Sequence, residues 1–183
     1  LDTDYSALSP ASVSVLNLDN DTAGFLLSDV SAPTTENGGT ATFTVRLQSE
    51  PSSDVTISYA SDDPTEGVTS GNQMTFTTAN WNAPQTVTVT GQDDGIADGD
   101  QAYRVVFNPA VSNDTNYSGL TPPAHPLFNN DNDTAAIDIG RVSGPTSESG
   151  GTATFTVVLR TQPTSDVTVL ASSSDVSEVS LNV

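Results

Sequence analysis

An internal repeat constrains the fold of this chain more than any other feature of its sequence. The tetrapeptide Asp19-Asn20-Asp21-Thr22 returns letter for letter at 131–134, which sets the period at 112 residues. Residues 19–71 align with 131–183 without a gap, and about half of the positions are identical. Self-similarity over so long a period is typical of a chain built from repeated domain units.

The repeat predicts where each unit begins and ends. Gly-Gly-Thr-Ala-Thr-Phe-Thr-Val stands at 38–45 and again at 150–157, and Asp-Asn-Asp-Thr marks the boundary between units. We expect residues 1–18 to be the tail, with the closing strand, of a preceding repeat. Residues 19–130 form one complete unit, and residues 131–183 are the first half of a following one.

Apolar residues alternate with Thr and Ser in several short runs, which predicts strands with one buried face. Turn residues such as Asn37-Gly38-Gly39 separate the runs. The expected strands lie near 24–31, 41–47, 55–59, 74–76, 87–90 and 103–107, with Val13 and Val15 marking the closing strand of the preceding unit. About seven strands in about 110 residues are typical of an antiparallel, immunoglobulin-like β-sandwich. We therefore predict an all-β chain of tandem sandwiches.

The closing strand of the complete unit contains a proline. His125-Pro126-Leu127 aligns with Val13-Ser14-Val15. Proline cannot donate a ladder hydrogen bond and belongs at an edge or a bulge. We expect this strand to be shorter or less regular than its counterpart, with His125 near the surface.

The chain is strongly acidic, with 23 Asp and Glu against 4 Lys and Arg and a net charge of −19. Such a charge disfavours nucleic acid and anionic membranes as partners. No apolar run is long enough for membrane insertion. The chain has no cysteine, which excludes disulfides and thiolate metal sites. Bound divalent cations would relieve the repulsion, and an acidity that serves solubility in a salt-tolerant protein is the alternative.

The acids cluster where strands are expected to end. These positions are Glu36, Asp62, Asp63, Asp93, Asp94, Asp98, Asp100, Asp131 and Asp133. Alternate strand ends of an antiparallel sandwich lie at the same pole. Calcium takes six to eight oxygen ligands, whereas magnesium keeps its waters, so the pattern favours Ca²⁺. The alternative is that Asp and Asn simply form turns.

The repeat separates two neighbouring acids. Asp63 returns as Asp175, but Asp62 becomes Ser174. If the units bind metal alike, Asp63 is the ligand and Asp62 a neighbour.

The order of these motifs resembles the Calx-β domain. Glu36 before Gly-Gly-Thr-Ala-Thr-Phe-Thr-Val, Asp62-Asp63 after a strand, Asp93-Asp94 before a Tyr-x-Val-x-Phe strand, and Asp-Asn-Asp-Thr at the boundary carry the resemblance. It implies a seven-stranded sandwich with calcium at one pole, near the junction with the next domain. The implied ligands are Glu36, Asp63, Asp93, Asp94, Asp98, Asp100, Asp131 and Asp133. The chain has Asp63-Pro64-Thr65-Glu66 where the family often has Asp-Gly-Thr-Ala, and Asp98 where it often has Glu.

These features predict a non-enzymatic structural repeat of an extracellular surface protein, an adhesin stalk or fibre stiffened by calcium. Its expected partners are neighbouring repeats of the same chain. One alternative is a carbohydrate-binding module that uses Trp81. Another is a filament in which residues 1–18 of one copy add a strand to residues 131–183 of the next. Paired carboxylates also occur in glycoside hydrolases, but no cleft is indicated and we assign no catalytic residue.

Overall fold

The computed structural model describes residues 2–182, and within them the chain forms twelve β-strands and no helix. The strands are β1 Phe25–Leu27, β2 Thr34–Thr35, β3 Thr40–Leu47, β4 Val55–Ser61, β5 Gly67–Thr69, β6 Gln73–Phe76, β7 Gln85–Gly91, β8 Gln101–Phe107, β9 Val111–Ser112, β10 His125–Asn130, β11 Ile137–Ile139 and β12 Val157–Leu159. The prediction of an all-β fold is confirmed.

The first ten strands form two sheets that enclose one core. One sheet has the order β1-β3-β7-β5 and the other β2-β10-β8-β4-β6, with β9 beside β4. All pairs are antiparallel except β2 with β10, which run parallel. The exception matters because it brings the start of the unit beside its end, at the pole where the acids lie.

The core follows from the alternation in each strand. In β3 the side chains of Ala41, Phe43, Val45 and Leu47 are each at most 1% exposed, while the threonines between them are half-buried. The same alternation buries Val87 and the other inward residues of β7. Burial of such side chains stabilises a fold by about 1.5–3 kcal/mol each, so this period-two pattern is the main source of stability.

The strand that contains Pro126 is more regular than predicted. β10 spans six residues and pairs with β8 without a bulge, with Pro126 opposite Arg104. β2 covers only Asn129 and Asn130 on its other side. The missing N–H of Pro126 therefore lies where β10 has no second neighbour, so the proline costs no ladder bond.

The closing strand expected in residues 1–18 is absent. No strand is formed in the described part of this segment, and Val13 and Val15 are 87% and 85% exposed. The equivalent strand β10 pairs with β8 and β2, whereas no described strand pairs with Val13 or Val15.

The pairing in the following segment repeats that of the complete unit. Phe25 lies opposite Leu47 between β1 and β3, and Ile137 lies opposite Leu159 between β11 and β12. Both members of the second pair stand 112 positions after those of the first. Equivalent positions of the repeat thus pair in the same register in both places.

Tyr117 links the loop after β9 to the end of β3 by hydrogen bonds. Its ring is 1% exposed, and its hydroxyl donates to the Ser49 carbonyl at 2.7 Å and accepts from the Ser49 N–H at 3.1 Å. We expect Tyr117→Phe to lower the free energy of unfolding by about 1–3 kcal/mol, because the half-buried N–H and carbonyl of Ser49 lose their partner.

Chemical denaturation measures this effect, and Tyr5→Phe is the matched control. Tyr5 is the equivalent residue 112 positions earlier, but it is 73% exposed. Equal losses in the two variants would contradict the role given to the Tyr117 hydroxyl.

Candidate metal centre

Four connections bring the acids to one pole of the sandwich. These are the turn after β2, the β4–β5 loop, the β7–β8 loop and the segment that follows β10. Because strand ends fix where each connection begins, residues that are far apart in sequence become neighbours. All eight sequence-predicted ligands lie in these connections.

The tightest group is formed by Glu36, Asp131 and Asp133. One carboxylate oxygen of each lies within 4.8 Å of those of the other two. Glu36 is only 4% exposed, while the two aspartates are half-buried. Three carboxylates this close repel one another unless a proton or a cation lies among them.

Asp131 organises the segment after β10. Its Oδ1 accepts from the Asp133 N–H at 2.6 Å, and its Oδ2 accepts from the Gly99 N–H at 2.7 Å. Its own N–H donates to Asp100 Oδ1 at 3.1 Å. Asp131 therefore ties the boundary segment to the loop between β7 and β8.

Asn132 makes the complementary link to the two other connections. Its backbone N–H donates to Glu36 Oε2 at 2.9 Å, and its side-chain amide donates to Asp93 Oδ1 at 3.1 Å. The boundary segment thus holds Glu36 and Asp93 through one residue. At this copy of the tetrapeptide, the Asn132 amide donates a hydrogen bond where another carboxylate would repel Asp93.

The carboxylates of this pole have opposite tendencies to ionise. N–H donors from Asp133 and Gly99 lower the pKa of Asp131. Desolvation, with the charges of Asp131 and Asp94, raises the pKa of Glu36. Desolvation and the charges of Asp131, Asp93 and Asp94 raise the pKa of Asp133. The site therefore holds one well-stabilised anion beside two that a cation would stabilise.

Asp63 and Asp98 are two further predicted ligands at this pole. Asp63 Oδ1 accepts from the Thr65 N–H at 3.0 Å and from the Thr65 hydroxyl at 2.5 Å, which lowers the Asp63 pKa. Desolvation raises the pKa of Glu66, and the charge of Asp98 adds to this effect. Neither Asp63 nor Asp98 belongs to the tight group of three.

Asp62 forms a salt bridge with the side chain of Arg104. Its carboxylate accepts from the Arg104 N–H at 2.7 Å and from Arg104 Nε at 3.3 Å. The pair joins the end of β4 to β8, which leaves Asp62 a neighbour of the pole, as the repeat suggests.

Glu66 is the residue that the sequence reasoning missed. Its Oε2 accepts from the Asn129 amide at 3.2 Å, and its pKa is raised by desolvation and by the charges of Asp63, Asp98 and Asp94. The available signal was the repeat, because Glu66 returns as Glu178. This signal carries little weight alone, since the loop that contains Glu66 departs from the Calx-β pattern.

The first copy of the tetrapeptide forms the same turn but does not belong to a close group of carboxylates. The Asp21 N–H donates to Asp19 Oδ1 at 3.0 Å, as Asp133 does to Asp131. The turn-forming explanation of these residues is thus correct for the local bond. The tight carboxylate group occurs only at the second copy among the described residues.

The donor set fits a hard cation. Asp133 Oδ2 is buried and has no hydrogen-bond partner among the described residues. A buried carboxylate oxygen without a donor is costly, and a cation there would satisfy it. Only oxygen ligands are offered, as calcium prefers. Glu36, Asp131 and Asp133 would hold the ion, with Asp93, Asp94 and Asp100 in the adjoining loop.

Trp81 and His125 lie away from this pole. Trp81 packs on the core, and its carbonyl accepts from the Leu47 N–H at 2.9 Å. The His125 ring lies 4.3 Å from that of Phe43, and Nε2 is buried without a partner. Desolvation lowers its pKa. His125 is thus more deeply placed than a surface residue.

Comparison with known proteins yields solved structures of low similarity and no family. No family model and no curated protein matches the chain. A chaperone–tip adhesion subunit pre-assembly complex, CsuC–CsuE from the archaic chaperone-usher Csu pili of Acinetobacter baumannii, is similar at 11% identity and a TM-score of 0.42, over 76% of this chain and 87% of that one. The class 5 fimbriae chaperone CfaA is similar at 14% identity and a TM-score of 0.41, over 75% and 68%.

These findings correct the expected function and its partners. Both solved structures are named for chaperones, and neither is named as a calcium-stiffened stalk, a carbohydrate-binding module or a filament subunit. In one of them the chaperone is bound to a separate subunit, not to a repeat of its own chain. We therefore retain neither the stalk nor its two alternatives, nor the partners expected for them. At this similarity, no activity of those proteins passes to this chain.

No helix in the described chain is long and apolar enough to cross a membrane.

Proposed function

We propose that residues 19–130, closed by the boundary segment 131–134, form a β-sandwich of the Calx-β type that binds a divalent cation at its acidic pole. Calcium is the cation that this site favours. The observation that carries the proposal is the group of Glu36, Asp131 and Asp133 within 4.8 Å, together with the unpartnered buried oxygen of Asp133. The proposed role is binding without catalysis.

The surroundings of the group support a cation over a shared proton. Asp131 is held ionised by two N–H donors, and Asp93 and Asp94 add charge near Asp133. A single proton would neutralise one carboxylate and leave the others facing each other. A divalent ion attracts all of them at once, and backbone carbonyls of the loops or waters would complete its shell of six to eight oxygens.

The repeat supports a tandem arrangement of such sandwiches. The register of β11 with β12 is that of β1 with β3. We propose that 131–183 begins a second unit and that 1–18 belongs to a preceding one. An extracellular location fits this proposal, because calcium there is abundant enough for sites with dissociation constants of about 10⁻⁴–10⁻³ M.

Calcium titration of two matched variants tests the site. We expect Asp133→Asn to weaken calcium binding about 10- to 100-fold by isothermal calorimetry, because it removes charge from the tightest carboxylate group. Asp21→Asn makes the same change in the exposed copy of the tetrapeptide and should leave the affinity within about twofold.

Two results would count against the proposal. Absence of calcium binding by the unaltered chain would remove it altogether. Equal losses in Asp133→Asn and Asp21→Asn would show that the effect depends on net charge and not on the group at the pole. Magnesium in place of calcium should bind more weakly, since it dehydrates reluctantly.

A further inference from the structure

We propose that Glu66 is an additional cation-facing carboxylate of this pole and that Asn129 is the residue that positions it. The inference rests on the proposed cation binding and extends it to two residues outside the predicted ligand set. A chain of buried hydrogen bonds fixes the Asn129 amide, and this amide holds Glu66 among the other acids.

The chain of bonds begins inside the core. The Tyr103 hydroxyl lies 2.8 Å from Thr34 Oγ1, and Thr34 Oγ1 lies 3.0 Å from Asn129 Oδ1. Asn129 Nδ2 then donates to Glu66 Oε2 at 3.2 Å and to the Gln92 carbonyl at 2.9 Å. Thr34, Tyr103 and Asn129 are each at most 3% exposed. We call these three residues the buried relay.

The acceptors around Asn129 determine which way its amide points. Nδ2 faces a carboxylate and a carbonyl, which only accept hydrogen bonds. Rotating the amide by half a turn would put Oδ1 against Glu66 Oε2 and the Gln92 carbonyl. The Thr34 hydroxyl, which can donate to Oδ1, supports the same orientation. Asn129 thus presents its NH₂ group to the Glu66 carboxylate and to the neutral Gln92 carbonyl.

Two glycines leave the space that the relay needs. A Cβ on Gly91 would lie 2.5 Å from Asn129 Oδ1. A Cβ on Gly67, which follows Glu66, would lie 2.5 Å from the Tyr103 hydroxyl. Both distances are closer than any side chain tolerates, so the backbone at the ends of β5 and β7 approaches the relay closely only because these residues are glycine.

The position of Glu66 gives the relay a use. Its Oε2 accepts from Asn129, its N–H donates to the Asp63 carbonyl at 3.3 Å, and its carbonyl accepts from the Gln92 N–H at 3.0 Å. Gln92 precedes Asp93, whose carboxylate accepts from the Asn132 amide at 3.1 Å. Glu66 therefore lies between the two connections that carry Asp63 and Asp93. A hydrogen bond from a neutral amide does not neutralise a carboxylate, so Glu66 keeps its charge available to a cation.

A pair of isosteric variants tests the role of Glu66. Glu66→Gln keeps a side-chain oxygen for Asn129 and removes the charge. We expect it to weaken calcium binding by about 5- to 20-fold in calorimetric titration of the whole chain, as expected when one of several carboxylates around an ion is lost. Glu178→Gln, the same change 112 positions later at an exposed residue, should stay within about twofold.

A double-mutant cycle tests the positioning role of Asn129. Asn129→Ala should weaken calcium binding in the unaltered chain but add little in the Glu66→Gln background, because Asn129 acts through Glu66. A purely structural Asn129 would lower the melting temperature in chelator without this dependence on Glu66. If Asn129→Ala does not fold, Thr34→Val, which removes the hydroxyl that orients the amide, takes its place in the cycle.

The outcomes separate this inference from the proposed function. Calcium binding by the unaltered chain and by Glu66→Gln with equal affinity overturns the role of Glu66 and leaves the cation site standing. Equal effects of Asn129→Ala with and without Glu66 overturn the positioning role. No calcium binding by the unaltered chain overturns the proposed function and this inference together.

Discussion

Calcium at 100 to 1,000 times its dissociation constant is expected to stabilise the folded chain by about 2.7 to 4.1 kcal/mol. The pole exists only when the turn after β2, the β7–β8 loop and the segment after β10 meet, so an unfolded chain offers no equivalent site. At about 2–4 °C per kcal/mol for a chain of this size, the melting temperature should rise by roughly 10 °C over that in chelator. Thermal unfolding followed by circular dichroism measures the difference.

The Asp133→Asn variant makes this measurement specific. Its calcium-induced rise in melting temperature should be much smaller than that of the unaltered chain, whereas Asp21→Asn should show the full rise. A melting temperature that is the same in calcium and in chelator would contradict binding at the pole. A rise that survives in Asp133→Asn would place the cation elsewhere on the chain.

The chelated protein is expected to become more stable as the pH falls from neutral to mildly acidic values. Glu36, Glu66 and Asp133 have pKa values raised chiefly by desolvation, so the folded state binds protons more readily than the unfolded state. Their penalty is present above the raised pKa and is relieved as the pH falls through it. At lower pH, Asp63 and Asp131 reverse the trend. Their pKa values are lowered by the hydrogen bonds that they accept, and their contribution is lost as the pH falls through those values.

With calcium present the dependence on pH should have the opposite sign. A bound cation stabilises the ionised carboxylates, so their protonation now displaces the ion. The calcium-loaded protein should lose stability over the range in which the chelated protein gains it. Melting temperatures in calcium and in chelator, measured from pH 7 to pH 4, should converge. Parallel curves would show that the carboxylates with raised pKa values do not bind the ion.

Much of the fold could be read from the sequence because its signal is local. The alternation of Phe43, Val45 and Leu47 with threonine predicts β3 without knowledge of its neighbours. The pairing of β2 with β10 could not be predicted, since two threonines carry no periodicity. The regularity of the strand that contains Pro126 could not be predicted either. Whether a proline costs a bond depends on which strand lies beside it, and this is a property of the whole sheet.

The sequence indicated which acids lie at the pole but not how they are grouped there. Repetition and the Calx-β resemblance pointed to eight acids, yet nothing in the sequence distinguishes Glu36, Asp131 and Asp133 from the others. Their closeness follows from the turn after β2 meeting the end of β10. Glu66 was not predicted as a ligand because its proposed role depends on Asn129, which is distant in sequence and lies within a strand. The corrected function shows a further limit, since acids at a pole indicate a ligand and not a biological task.

The parallel pairing of β2 with β10 also bears on how the molecule assembles and comes apart. Asn129 pairs with Thr34 across nearly the whole unit, so this contact closes one of the longest loops in the chain. Long closures are entropically costly and tend to form late. If the pole forms after the folding transition state, an ion bound there slows unfolding and leaves the folding rate almost unchanged. The acidic pole would then act as a kinetic latch on a sandwich whose hydrophobic core is already complete.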